Sequence, residues 1–226
     1  MSRFIGKVVI VTAMNQSATK HSIIDAGGKE DDVNVVVADV TDAVGREQIV
    51  SSTVQKWGKI DVLSVQERNT SSAIQMVQLT RPHLVKAKGE VVNISSIAGQ
   101  PKGTPKFMYY AMAKAALDQM TRALAIELIA EGVRVNSVSP GAVLTKFCQN
   151  AGMSDADTAK VFYEKFASSE HSLPIREIGQ PEDIANVIAF LADRHASRYI
   201  IGQTIIADGG SMLVIAANAT SSAGQK

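Results

Sequence analysis

No disulfide can close within this chain, because its 226 residues hold a single cysteine, Cys148. A lone thiol favours a reducing compartment. With no His or Cys signature around it, Cys148 reads as a packing or surface thiol rather than a nucleophile. Long apolar runs are also lacking. The N-terminal MSRFIGKVVIVT is too short to span a bilayer and reads as a first strand, so a cytoplasmic location is expected. Neither sign of charge dominates: 23 Lys and Arg face 22 Asp and Glu, and no block of five or more Lys/Arg occurs. That balance speaks against a nucleic-acid or acidic-membrane partner. Glycine is missing where it would matter most. The β-branched run Val8–Val11 leads into Ala13, Met14, Asn15 and Gln16, and the next glycine is Gly27. A tight glycine turn after a first strand is what lets a backbone approach a diphosphate at a helix tip.

What is present suits a packed globule, with 46% hydrophobic and 20% charged residues. One domain is expected over 1–215, followed by a small, polar, flexible tail over 216–226. Strand-like runs recur at 7–12, 33–38, 60–64, 89–95, 133–138 and 203–207. Helical spacing fills about 43–57, 66–86, 107–130 and 181–192. Alternating strands and helices predict an α/β fold with a doubly wound parallel sheet. The continuous Val/Ile runs fit strands covered on both faces. Between Thr12 and Val33 lie only 20 residues, enough for one short helix (about 17–26) but not for helix, strand and second helix. The first half of the sheet is therefore expected to be shortened. The first strand should neighbour 33–38, with the 133–140 strand on its other side.

Chemistry concentrates in EVVNISSIAGQPKGTPKFMYYAMAKAALDQMTRALAIEL, residues 90–128. A strand ends at Ser95–Ser96, a loop follows, and a long helix begins near Tyr109. Tyr110 and Lys114, four apart, share a helical face. An ammonium beside a tyrosine stabilises the phenolate and brings the hydroxyl toward acid/base duty, while a serine hydroxyl could polarise a carbonyl oxygen. Downstream, GVRVNSVSPGAVLTKF places Pro140–Gly141 at a strand's carboxyl end, where parallel sheets bind ligands. IGQTIIADGGSML adds a last strand closed by Gly-Gly.

The ordered set NISS, YxxxK, RVNSVSPG, IIGQ and DGG resembles the short-chain dehydrogenase/reductase family, from about residue 33 to 215 together with the first strand. The resemblance implies a Rossmann-like sheet and an NAD(P)-dependent oxidoreductase interconverting a secondary alcohol and a ketone or aldehyde. It implies NAD or NADP as cofactor and a homodimer or homotetramer as assembly. By the same resemblance Tyr110 is the acid/base, Lys114 lowers its pKa and holds the nicotinamide ribose, and Ser96 binds the substrate oxygen. Asn69 falls at the family's fourth catalytic position. Asp39 and Val40 take the adenine-contacting position, and Asn93 and Ile94 lie beneath the nicotinamide. Pro140, Gly141, Val143 and Thr145 form the loop that meets carboxamide and phosphates, and 152–178 resembles the substrate lid. The long helices, with Ala111, Ala115, Met76 and Met120, would pack against a second copy. The chain departs from the family at its glycine-rich turn, of which only Thr12 stands, and at its Asn-Asn-Ala-Gly, replaced by Ser64–Val65–Gln66. A catalytically silent subunit, or a shortened variant used for binding or assembly, is the alternative reading.

Overall fold

The computed structural model describes residues 4–12, 23, 25, 29–66, 70–103, 107–145 and 155–214. Five parallel strands make one sheet: β1 (Val9–Val11), β2 (Val62–Val65), β3 (Glu90–Ile94), β4 (Arg134–Pro140) and β5 (Thr204–Ala207), in that spatial order. The long helices are α1 (Ala43–Trp57), α2 (Thr70–Ala87), α3 (Met108–Ile129), α4 (Ala156–Ala167) and α5 (Pro181–Ala192), followed by the short α6 (Arg194–Ser197). The Rossmann-like class expected from the alternating pattern is what the chain adopts.

Two apolar layers hold it. Leu63, Val65, Val91 and Val135 project from one face of the sheet into a core shared with Val50 of α1, Met76 and Leu84 of α2, and Leu117 and Leu128 of α3. On the other face Val62 and Val92 pack against Leu191 and Ala192 of α5, and Ile94 and Val138 against Ile184. Successive residues of one strand thus serve opposite layers, which is why β2 and β3 are buried along their whole length. Each fully buried Leu contributes about 1.5–3 kcal/mol relative to exposure.

The expected strand at 33–38 does not join the sheet. Residues 33–39 form no ladder, and β1 pairs with β2 alone among the described strands. The segment runs instead beside α1, where Asn34 Nδ2 donates to Ser52 Oγ (2.6 Å) and Lys56 Nζ to the Val33 carbonyl (3.0 Å). Val37 is 77% exposed. A β-rich composition only offers hydrogen-bonding edges, and a strand forms when a neighbour takes them. Nor does the 134–140 strand flank β1, as expected: the neighbour of β1 is β2, and both β2 and β3 stand between β1 and β4. The expected helix at 17–26 falls mostly outside the described residues, as does the tail from 215 onward.

Candidate active site

The carboxyl ends of β3, β4 and β5 open toward the same side, with the N-terminal half of α3 beside them. Lys114 anchors the arrangement. It is buried at 3% exposure, and its Nζ donates to the Ile94 carbonyl at 2.7 Å, where β3 ends. Its ammonium stands 5.7 Å from the ring centroid of half-buried Tyr110, one turn earlier on α3. The Ser95 hydroxyl donates to the main-chain carbonyl of Lys114 (3.2 Å), which ties the strand end to the helix. Ser96 then turns the chain, and its Oγ accepts from the Ala98 N–H (3.1 Å) at the head of the short 3-10 turn Ile97–Gly99. That turn lies so close to α3 that a Cβ on Gly99 would sit 2.6 Å from the carbonyl carbon of Lys114. Of the four expected catalytic residues, Ser96, Tyr110 and Lys114 therefore share one neighbourhood, and Asn69 lies outside the described residues.

The expected cofactor positions divide. Asn93 is fully buried and acts as a rivet, its Nδ2 donating to Thr121 Oγ1 of α3 (2.9 Å) while its own carbonyl accepts from Ser137 (3.1 Å). Ile94 contributes its carbonyl to Lys114. Pro140 ends β4, and Gly141 N–H donates to the Ala207 carbonyl (3.0 Å). A Cβ at Gly141 would meet the Cα and Cβ of Asp208 at 2.7 Å, so this crossing admits only glycine. Val143 bridges to Gly179 of the segment that follows α4, and Leu144 N–H donates to the Gly179 carbonyl (2.8 Å). With exposed Thr145, this loop walls a cleft of about 310 Å³ against Ala159, Tyr163 and Glu164 of α4 and against Ile178. On α4, Val161 and Phe162 are exposed, so the expected lid carries apolar side chains outside the core.

At the other end of the sheet, Asp39 is committed locally. Its carboxylate accepts from the Thr41 hydroxyl (2.7 Å) and N–H (2.8 Å), which hold its pKa below the usual range. Arg46 donates to the Val40 carbonyl (2.8 Å). Thr12, at the end of β1, accepts from Gln66 N–H (2.9 Å) and so stitches the ends of β1 and β2.

Two further residues at the site were not anticipated. Asp118, one turn beyond Lys114, is a buried carboxylate whose pKa is pushed up by burial, partly offset by the hydroxyls of Ser95 and Thr204. Gln100 donates to it from the loop after Ser96 (2.8 Å). An acid at the third step of the series 110, 114, 118, inside an Ala-rich apolar helix, was the available signal.

Comparison with known proteins bears on the family and the fold. The family model described as enoyl-(acyl carrier protein) reductase matches residues 63–212. Among curated relatives, the 3-oxoacyl-[acyl-carrier-protein] reductase FabG of Thermotoga maritima is 30% identical over 92% of this chain and 89% of its own. Human dehydrogenase/reductase SDR family member 4 is 31% identical over 91% and 79%. The chain belongs to the short-chain dehydrogenase/reductase family. A family member from Caenorhabditis elegans, solved with cofactor, superposes with a TM-score of 0.87 at 42% identity, covering 94% of this chain and 88% of that one. The glucose dehydrogenase of the same organism, in its apo form, gives 0.78 at 44%, over 92% and 87%. With the family come the oxidoreductase class and a nicotinamide cofactor, NAD or NADP. The alignment with the Thermotoga protein runs over 230 positions yet takes in 92% of a chain of 226, so that relative carries residues within the match that this one lacks.

Proposed function

We propose that the chain interconverts a secondary alcohol and a ketone or aldehyde. The observation that carries this reading is the buried Lys114 ammonium, pinned to the end of β3 and 5.7 Å from the Tyr110 ring, with Ser96 on the turn pressed against the same helix. In this reading the Tyr110 hydroxyl gives a proton to the carbonyl oxygen as the alcohol forms and takes it back in the reverse direction. Lys114 stabilises the phenolate left behind, and the Ser96 hydroxyl donates to the same substrate oxygen. Asn69 is assigned the fourth place. The nicotinamide, when bound, supplies or accepts the hydride. The donor set fits that group at its reacting end: a buried cation, a phenol and a hydroxyl lie at the strand ends, where α/β folds take ligands. Tyr110, Lys114, Asn93, Ile94, Pro140, Gly141, Val143 and Thr145 would hold that half of the cofactor, and Asp39 and Val40 the adenine.

A homo-oligomer belongs to the same reading, with one change of residues. Met76 and Met120 are buried in the core and face no partner. The surface of α3 instead carries Met112 (61% exposed) and Ile126 (75% exposed), with exposed Ala115, Ala116 and Ala123 between them. That stripe is the face assigned to a second copy. No helix among the described residues is long and apolar enough to cross a membrane. The lone cysteine supports a cytoplasmic location.

The test is Tyr110→Phe, assayed by NAD(P)H absorbance against a panel of ketones, secondary alcohols and sugars. Loss of the hydroxyl should lower turnover by about 10²–10⁴-fold and leave the thermal midpoint unchanged. Turnover that survives the substitution would remove Tyr110 from the acid/base role. Titration with NADH and NADPH by fluorescence tests the cofactor, and no saturable binding at millimolar concentration would favour the silent subunit.

A further inference from the structure

Ser96 stands at the head of the turn after β3 and Tyr110 on α3, so whatever fixes that turn to α3 fixes the geometry of the two groups assigned to the substrate oxygen. We propose that Asp118 is a positioning residue, clamping this turn to α3 through the side-chain amide of Gln100. The inference rests on the reading of Ser96 and Tyr110 given above.

The Gln100 amide nitrogen has two hydrogens, and both are placed. One goes to Asp118 Oδ2 (2.8 Å) and the other to Ser139 Oγ (3.0 Å), the residue before Pro140. Asp118 and Ser139 are buried, at 4% and 0% exposure. Removing the amide would therefore leave two buried acceptors without it, which fixes the loop more firmly than one hydrogen bond suggests. The other carboxylate oxygen accepts from Thr204 Oγ1 of β5 at 3.3 Å, a longer contact that does not involve the loop. Asp118 thus ties the turn after β3 and the start of β5 to the helix that bears Tyr110 and Lys114, and Gln100 adds the end of β4. The loop's own hydrogen bonds are short-range: Gly99 N–H to the Ser96 carbonyl, Gln100 N–H to the Ile97 carbonyl and Lys102 N–H to the Gln100 carbonyl. They shape the turn without attaching it. The tight seat of Gly99 and the Gln100 side chain attach it to α3.

Backbone hydrogen exchange across Ala98–Gly103, on the full chain without added cofactor, tests the clamp independently of turnover. Asp118→Ala should raise exchange there roughly fivefold to tenfold, as loss of one hydrogen bond predicts, and Gln100→Ala, which also loses the bond to Ser139, at least as much. The double variant should exchange no faster than Gln100→Ala alone, because that variant already removes the contact with Asp118. Asp118→Asn keeps an acceptor facing Gln100 and should restore most of the protection, while Thr204→Val should leave the loop within about twofold of the parent. In turnover, kcat/KM for the carbonyl should fall roughly tenfold to a hundredfold in the two alanine variants, with NAD(P)H affinity unchanged. Unchanged exchange in Gln100→Ala, or additive effects in the double variant, would overturn the clamp. Gln100 lies on a partly exposed loop, so its variant decides the matter even if Asp118→Ala fails to fold. A parent chain without turnover would refute the functional reading and leave the exchange result to judge the clamp.

Discussion

Asp61 tethers the edge of the sheet, and Asp61→Asn measures the tether. Its carboxylate is 5% exposed and accepts from the Val8 N–H at 2.8 Å, Lys59 Nζ at 2.9 Å and Lys7 Nζ at 3.1 Å. β1 pairs with β2 over only Val9 to Val11, and these contacts extend its hold to the residues just before it. The backbone bond to a charged acceptor is worth about 1.5–3 kcal/mol. The two lysines are 46% and 44% exposed, which limits each pair to about 0.2–1 kcal/mol. Asparagine keeps an acceptor for Val8 but removes the charge, so the expected loss is about 1–3 kcal/mol. For a chain of this size that is a fall in Tm of about 3–10 °C. Burial works against the Asp61 anion, but the Val8 N–H and the ammoniums of Lys59 and Lys7 outweigh it and hold the pKa below the usual carboxylate range. A folded-state pKa below the unfolded one contributes stability that is complete above the unfolded value, about 3.9, and disappears as pH falls through the folded one. Urea unfolding of parent and variant between pH 7 and pH 3 should therefore show a full gap at neutrality that closes under acid. A gap below about 0.5 kcal/mol at pH 7, or one that persists unchanged at pH 3, would refute the charge-tether reasoning.

Other perturbations probe the site and the surface. Gly141→Ala forces a Cβ against Asp208, at a cost of about 1–3 kcal/mol; it should weaken NADH binding in a fluorescence titration by roughly tenfold while most of the thermal stability survives. Met112→Asp combined with Ile126→Asp places charge on the exposed stripe of α3. Light scattering should then report a mass reduced to that of one chain, with the far-UV circular dichroism unchanged.

Some of this molecule is legible in one dimension and some is not. The buried strands could be read because they are rich in Val and Ile, as in VVNI and VRVNSV, although the buried Asn93, Arg134, Asn136 and Ser137 interrupt those runs. Tyr110 and Lys114 could be paired because four residues is one helical turn. Residues 33–38 misled because VNVVVA has strand propensity, while sheet membership depends on an unpaired neighbour that propensity does not describe. Met76 and Met120 misled for a related reason: helical spacing identifies a face but not whether it turns inward. The Gln100–Asp118 contact joins residues 18 apart across a loop and a helix turn, and no local period encodes it.

The residues proposed for the reaction and the edge of the sheet at β1 depend on different parts of the core. Lys114, Ser95 and Asn93 are held by β3, β4 and α3, whose residues Val91, Val135, Leu117 and Leu128 lie at the centre of the main apolar layer. The departures gather at β1 instead, in the exposed valines of 33–39, the turn without glycine, and an Asp39 carboxylate already occupied by Thr41. Binding energy from a remote part of a ligand sets how tightly it is held, whereas groups at the reacting atoms set the barrier. Changes on the adenosine side would therefore weaken cofactor affinity first and leave the arrangement of Ser96, Tyr110 and Lys114 standing. For that reason a buried, strand-pinned Lys114 carries more weight for function than the missing glycine turn carries against it.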